Sequence, residues 1–392
     1  MGMNTQLATS DHARAAEARH LVQVYAQLGI EPLSATGVHI QCRDRRLLDL
    51  YGGHAVAGLG YAHPAILRTL SEQAELLTFQ SNAVALEIRA RAADKLATFA
   101  PTGLDRVFFV NTGAEANENA LCIALKHTGR NQVLAIEHGF HGRSAAAGAV
   151  TWGAAKKWYA FPRTPFDVAF IGRNDSKAAQ QMIDGNTAAV IVELVQGVAG
   201  AYDLKAEFVE TLADRCAETG TLLIVDEVQS GMGRSGYPFA ADAYQIRPDL
   251  LTVAKSLGAG FPCGAVLMTN EIANILGAGD LGTTFGGGPL ACALIETVID
   301  EIIGNDLMVN VRVVSAALVD ALPAGPVESA QGMGFLMGLR CSVPANDVRD
   351  GLLERGILVG TSTDPAVIRL LPPLVLERRY IEELIDALTD MG

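Results

Sequence analysis

The sequence predicts an α/β protein with a large domain built on a mostly parallel seven-stranded sheet flanked by helices, and a smaller α+β domain made from the two chain ends. Three observations carry this. Between about residues 105 and 265, seven short apolar runs recur: "RVFFV", "QVLAI", "VAFI", "AAVIVEL", "TLLIV", "LLTVA" and "CGAVLM". Such unbroken runs, rather than alternating ones, suit strands covered on both faces. Helix-like stretches alternate with them. Polar and glycine-rich residues gather where the runs end, and open α/β sheets bind ligands beyond the carboxyl ends of their strands.

The expected division is 1–50 as the N-terminal segment of the small domain, 51–285 as the large domain, and 286–392 as the C-terminal part of the small domain. The stretch "GVHIQCRDRRLLDLYGG" joins the small domain to the large one. The C-terminal part opens with an apolar helix, "PLACALIETVIDEII", and closes with a second, "RRYIEELIDALTDM". No repeat or low-complexity tract interrupts the pattern.

The 392 residues include 49% hydrophobic and 19% charged side chains, a mixture typical of a packed enzyme. A net charge of -13 without any basic run argues against nucleic acid as a partner. The six cysteines are scattered, with no Cys-x-x-Cys pair, and read as small buried hydrophobes in a reducing compartment rather than metal ligands. The first twenty residues lack the apolar core of a secretory signal, and no apolar run reaches the roughly 18 to 20 residues of a membrane span. The expectation is a soluble cytoplasmic protein.

In chain order, "RVFFV" breaks at Asn111-Thr112-Gly113 into a helix-forming stretch, "NTGAEANENAL". Alone this is an ordinary helix cap. After the second run, "EHGFHGRS" offers Phe140 and Arg143, either of which can be structural, and His138 and His141, which receive no catalytic assignment. The fifth run ends in Asp226-Glu227. Two acids there either mark where a strand meets water or present Asp226 to a cation at the sheet edge. A P-loop is excluded, because none of the seven lysines follows a glycine. The stretch "GMGRSG" at 231 to 236 matches a dinucleotide fingerprint by letters only, since it neither follows a strand directly nor opens a helix.

The sixth run ends at Lys255, 29 residues beyond Asp226, and no lysine follows it in the chain. A lysine at the end of a buried strand costs desolvation energy unless it is paired or used covalently, and burial favours its nucleophilic neutral form. One cofactor accounts for both strand ends. Pyridoxal phosphate carries an aldehyde that forms a Schiff base with a lysine, a pyridine nitrogen that must stay protonated, and a phosphate that needs donors. Asp226 then partners the pyridinium. The N–H groups of Gly113 and Ala114, with the Thr112 hydroxyl, face the phosphate at a helix N-terminus. Phe140 stacks on the ring, and Arg143 is a cation for a carboxylate.

These residues resemble the class III aminotransferases, pyridoxal-phosphate enzymes of fold type I, and most closely the acetylornithine and ornithine aminotransferase group. The resemblance runs through "LDLYGGHAVAGLGYAHPAI", "NTGAEANENA", "GFHGR", "TTFGGGPLACA" and "VIRLLPPL". It is most specific in "LLIVDEVQSGMGRSGYPFAADAYQIRPDLLTVAKSLGAGFPCGA". It implies catalytic roles for Lys255 and Asp226, with Gln229 at the ring hydroxyl and Val228 on the ring face opposite Phe140. It further implies that Thr284 reaches the phosphate of a neighbouring subunit, so that the active unit is a homodimer. Thr283, Arg143 and Arg369 are implied at the substrate, the arginines gripping carboxylates.

The chain departs from the family pattern at Leu194, in place of a proline, and at Val198, in place of a glutamate that shields the C-terminal arginine in the acetylornithine and ornithine enzymes. Gly288 replaces an asparagine and Tyr61 a histidine. The implied reaction is a ping-pong transfer of an amino group from an amine or ω-amino acid, acetylornithine-like, to a keto acid such as 2-oxoglutarate. A racemase, epimerase or aminomutase of the same fold is the alternative.

Overall fold

The computed structural model describes residues 10–392. All seven apolar runs form strands of one sheet: β1 (Arg106–Val110), β2 (Gln132–Ile136), β3 (Asp167–Ile171), β4 (Thr187–Val192), β5 (Leu222–Asp226), β6 (Leu250–Val253) and β7 (Gly264–Met268), in the order β1-β7-β6-β5-β4-β2-β3. Neighbours from β6 through β3 are parallel. Strand β7 lies antiparallel to both β6 and β1. The sheet is therefore mostly parallel, as expected, with one reversed strand.

Successive side chains on a strand point to opposite faces, and the core divides accordingly. Val133, Ala135, Ala189, Ile191, Leu222 and Ile224 pack with Ala116, Ala120 and Ala124 of the helix Gly113–Thr128. The alternate set, Leu134, Ile136, Val190, Val192, Leu223 and Val225, packs with Phe208, Val209 and Leu212 of the helix Ala206–Thr219. Both helices stop at a left-handed glycine, Gly129 and Gly220, where a side chain would be strained.

Two further four-stranded sheets flank this layer. One joins Pro32–Thr36, His39–Cys42 and Arg46–Asp49 to Ile357–Leu358, the last pairing in parallel with the segment Leu48–Asp49. The other contains Val327–Met333, Leu336–Cys341, Val367–Leu370 and Gly360–Thr361. The apolar helix Pro289–Gly304 packs against Pro64–Leu76 and Glu87–Phe99. No single helix among the described residues is long and apolar enough to cross a membrane. All six cysteines are free. Five are buried as expected, but Cys122 is exposed on the helix Gly113–Thr128.

Candidate active site

Strand β5 carries Asp226 to the sheet's carboxyl edge, yet neither acid there meets water: Asp226 is 3% exposed and Glu227 1%. Asp226 Oδ2 accepts from Asn117 Nδ2 at 2.7 Å and lies 2.8 Å from His141 Nδ1, while Oδ1 accepts the Val228 N–H at 3.0 Å. Asn117 is itself fixed, donating to the His141 carbonyl at 2.7 Å and accepting from the Thr252 hydroxyl at 2.6 Å. None of these donors is a lysine or arginine. Glu227 turns the other way, accepting from the Ser230 hydroxyl at 2.5 Å and the Ala241 N–H at 2.8 Å. Burial pushes its carboxyl up to about 7. The reading of these acids as marks of the strand's exit to solvent is corrected by their burial.

Strand β6 stops at Val253, two residues before Lys255, which opens a tight turn, Lys255–Gly258, in the left-handed region at φ 49°. Non-glycine residues held there cost on the order of 1–3 kcal/mol and cluster at functional sites. Burial pushes the Lys255 amine down to about 8. The carboxylates of Asp226 and Glu193 pull it back up, and the charges of Arg369 and Arg234 deepen the fall. Glu193 follows β4 and accepts the Phe140 N–H at 2.8 Å. Burial first, and then the charge of Asp226, raises its carboxyl above the ordinary range.

These groups surround a cavity of about 460 Å³ whose wall includes Thr112, Gly113, Ala114, Phe140, Arg143, Glu193, Asp226, Val228, Gln229 and Lys255. Three predicted residues are not on that wall. Thr283 lies beside it, its hydroxyl accepting from Asn111 Nδ2 at 3.3 Å and the Gly286 N–H at 3.1 Å. Thr284 is exposed. Arg369 is buried, at 5% exposure, on the strand Val367–Leu370. Arg143 is exposed, with its guanidinium 4.9 Å from the Trp158 ring centre.

At the rim, the Thr112 hydroxyl accepts the Glu115 N–H at 3.1 Å, and the Glu115 carboxylate accepts the Asn111 N–H at 2.8 Å. This reciprocal capping fixes the start of the helix Gly113–Thr128 and leaves the N–H groups of Gly113 and Ala114 outside the helical ladder. A Cβ on Gly113 would lie 2.7 Å from Val228 Cγ1, so only glycine keeps the cradle open. The first helical turn is thus shaped for an anion.

Residues unassigned from the sequence complete the site. Asn117, His141 and Glu193 are described above. Arg234 is fully buried with no acidic partner among the described residues. It donates to the Pro372 carbonyl at 2.8 Å and approaches the Ser256 hydroxyl at 3.4 Å, so it ties the turn of Lys255 to the C-terminal segment. Gly52, Gly53, His54 and Ala55 form a left-handed run with φ of 56°, 57°, 63° and 67°. For His54 and Ala55 that conformation costs roughly 1–2 kcal/mol each. Asp49 steadies the entrance to the run, accepting the Tyr51 N–H at 2.7 Å and the Gly52 N–H at 3.0 Å. Its other oxygen accepts from the Tyr61 hydroxyl at 2.6 Å.

Among the described residues no cluster of acids, histidines or cysteines is arranged to hold a metal. A buried amine, a buried carboxylate facing the same cavity and an anion cradle at a helix N-terminus together match a ligand that is aldehyde, base and phosphate ester at once. On an open α/β sheet, that places the protein among the pyridoxal-phosphate enzymes of fold type I. The chain belongs to the aminotransferase class-III family, whose profile matches residues 27–391. It is 34% identical over 388 residues to an acetylornithine aminotransferase of Methanocaldococcus jannaschii, covering 96% of each chain. With that of Archaeoglobus fulgidus it shares 37% identity, covering 94% of this chain and 97% of the relative. Among solved structures, an ornithine aminotransferase from Toxoplasma gondii superposes with a TM-score of 0.91 at 29% identity, covering 98% of this chain and 96% of the other. The acetylornithine aminotransferase of Elizabethkingia anophelis gives 0.87 at 26%, covering 97% and 98%. The protein is a pyridoxal-phosphate-dependent transaminase.

Proposed function

We propose that the chain moves an amino group from an acetylornithine-like ω-amine to a 2-keto acid such as 2-oxoglutarate, with Lys255 as the catalytic base and Asp226 as its electrostatic partner. The observation that carries the reading is the shared cavity of Lys255 and Asp226, one an amine that burial shifts toward its neutral, nucleophilic form, the other an acid whose hydrogen-bond donors include no lysine or arginine.

When bound, pyridoxal phosphate supplies a carbonyl for amine exchange and a ring that spreads the negative charge left when the substrate loses a proton. Lys255 removes that proton from the carbon bearing the donor's amine and returns it elsewhere, the general-base role to which a lysine tuned near neutrality is suited. Asp226 holds a proton on the ring nitrogen, and His141 and Asn117 keep the carboxylate aimed. Gly113, Ala114 and Thr112 bind the phosphate. Phe140 and Val228 enclose the ring, Gln229 meets its hydroxyl, and Arg143 and Arg369 anchor substrate carboxylates, with Thr283 beside them.

The unit is a homodimer acting in the cytoplasm. Exposure of Thr284 suits a residue that serves a neighbouring subunit's phosphate, and six free cysteines suit a reducing compartment. The relatives compared above carry aminotransferase names, which favours transfer over racemisation or mutase chemistry.

A panel of amines mixed with the holoenzyme, read by the cofactor's visible absorbance and by amino acid formed from 2-oxoglutarate, tests the reading. Acetylornithine and related ω-amines are expected to convert it, and Lys255→Ala is expected to lose turnover by at least about a thousandfold. Full activity of that variant, or loss of donor configuration without stoichiometric transfer of nitrogen, refutes the proposal.

A further inference from the structure

We propose that Tyr51 and His54 form a neutral hydrogen-bonded chain that aims Arg369 at a substrate carboxylate, so that His54 is a positioning residue for substrate binding. This rests on the reading of Arg369 as a carboxylate anchor.

Arg369 has no acidic partner at ion-pair distance among the described residues. Its Nε donates to the Thr361 carbonyl at 2.8 Å, Nη1 to the Gly197 carbonyl at 3.1 Å and Nη2 to the Tyr51 hydroxyl oxygen at 2.8 Å. A guanidinium has five N–H groups, so one remains on each terminal nitrogen, the pair a carboxylate can take. Held only by neutral acceptors, the cation keeps its charge for a ligand.

Of those three partners only Tyr51 is a side chain, and its orientation depends on His54. Arginine can only donate, so the Tyr51 oxygen accepts from it and the hydroxyl proton goes to His54 Nδ1, 2.8 Å away. That arrangement requires Nδ1 to be unprotonated. The left-handed run described above brings residue 54 back over residue 51, with ring centres 4.6 Å apart. The strained backbone therefore has a specific product, a histidine nitrogen facing the tyrosine that holds Arg369.

The charged groups around His54 enforce the same state. Burial, then the cations Arg369 and Lys255, lower its pKa. The neighbouring acid, Asp49, already accepts from two backbone N–H groups and from Tyr61. Protonation of His54 would turn Nδ1 into a donor, leave the Tyr51 oxygen between two cationic donors and release the hydroxyl proton from its acceptor. The chain is thus intact at neutral pH and broken by acid.

The test uses the holoenzyme, with glutarate as an unreactive dicarboxylate measured by calorimetry and 2-oxoglutarate followed kinetically. His54→Leu and Tyr51→Phe should each raise the glutarate Kd and the 2-oxoglutarate KM about five- to tenfold, the size of one ordinary net hydrogen bond, with kcat changed less than about twofold. The double variant should be no worse than either single, because both break one chain. His54→Asn should restore binding, since its amide oxygen replaces Nδ1 and asparagine tolerates positive φ. It should also abolish the weakening of glutarate binding that the unmodified enzyme shows on acidification. Unchanged glutarate affinity in His54→Leu, additive losses, or a His54→Asn variant no better than His54→Leu overturns the proposal. Arg369→Lys separates the two readings: if it leaves glutarate binding intact, the anchor itself is wrong; if it weakens binding while His54→Leu does not, only the role of His54 fails.

Discussion

Competitive acetylation of the apoprotein would measure the property on which Lys255 depends. An ordinary lysine titrates near 10.5, and burial brings Lys255 down to about 8. At pH 7.5 about a quarter of its amines are then neutral, against about 0.1% for an ordinary lysine, roughly a 200-fold gain in nucleophilic form. Burial disfavours the charged ammonium, so the neutral amine appears earlier as pH rises. Trace acetic anhydride, digestion and mass spectrometry would give acetylation of Lys255 relative to the exposed Lys177 as a function of pH. A midpoint near 8 is expected. Asp226 is the largest influence opposing the fall, so Asp226→Asn should move the midpoint lower and raise labelling at pH 7. A midpoint within one unit of 10.5, or an upward shift in Asp226→Asn, would refute the electrostatic account of the site.

Two other outcomes follow from single contacts. Gly113→Ala places a methyl 2.7 Å from Val228 Cγ1, so it should weaken pyridoxal phosphate binding at least about tenfold in an absorbance titration, a loss of about 1.4 kcal/mol. Unaltered affinity would remove the helix start from the phosphate site. Glu227 has a folded pKa raised to about 7 from 4.5, so its contribution to stability is fully present below 4.5 and is lost as pH rises through 7. Glu227→Gln should therefore flatten denaturant-measured stability across that window, by at most about 3 kcal/mol. A steeper profile in the variant would contradict the assignment.

The seven strands are legible because a strand covered on both faces must be apolar throughout, and "AAVIVEL" and "TLLIV" satisfy that without ambiguity. The reversal of β7 is not legible, since its apolar run is the same whichever way it pairs. Lys255 and Asp226 stand out as polar groups at the ends of apolar runs. Glu193 ends such a run too, in "AAVIVEL", and the same rule applied there finds it. Asn117 leaves a weaker trace, an amide on the alanine-lined face of its helix beside Ala116 and Ala120. Arg234 leaves none: within "GMGRSG" it reads as a loop arginine, and only the approach of Pro372 and Phe335 from a distant part of the chain buries it. His141 lies in the quoted "GFHGR", but its partner is 85 residues away, so its role depends on tertiary structure.

Three acids near one sheet edge also explain why one of them, rather than all, can serve a cationic ring. Each is buried, and buried carboxylates in close proximity resist simultaneous ionisation. Glu227 faces away and spends its oxygens on Ser230 and Ala241, while Glu193 is pushed toward neutrality by burial and by the charge of Asp226. Asp226 collects donors on both oxygens from three different segments of the chain: the helix after β1, the loop after β2 and its own turn. Of the two acids on the cavity wall with Lys255, the fold thus gathers its donors on Asp226 rather than on Glu193. Asp226→Asn would leave Glu193 as the carboxylate on that wall, held by the Phe140 N–H rather than by His141 and Asn117.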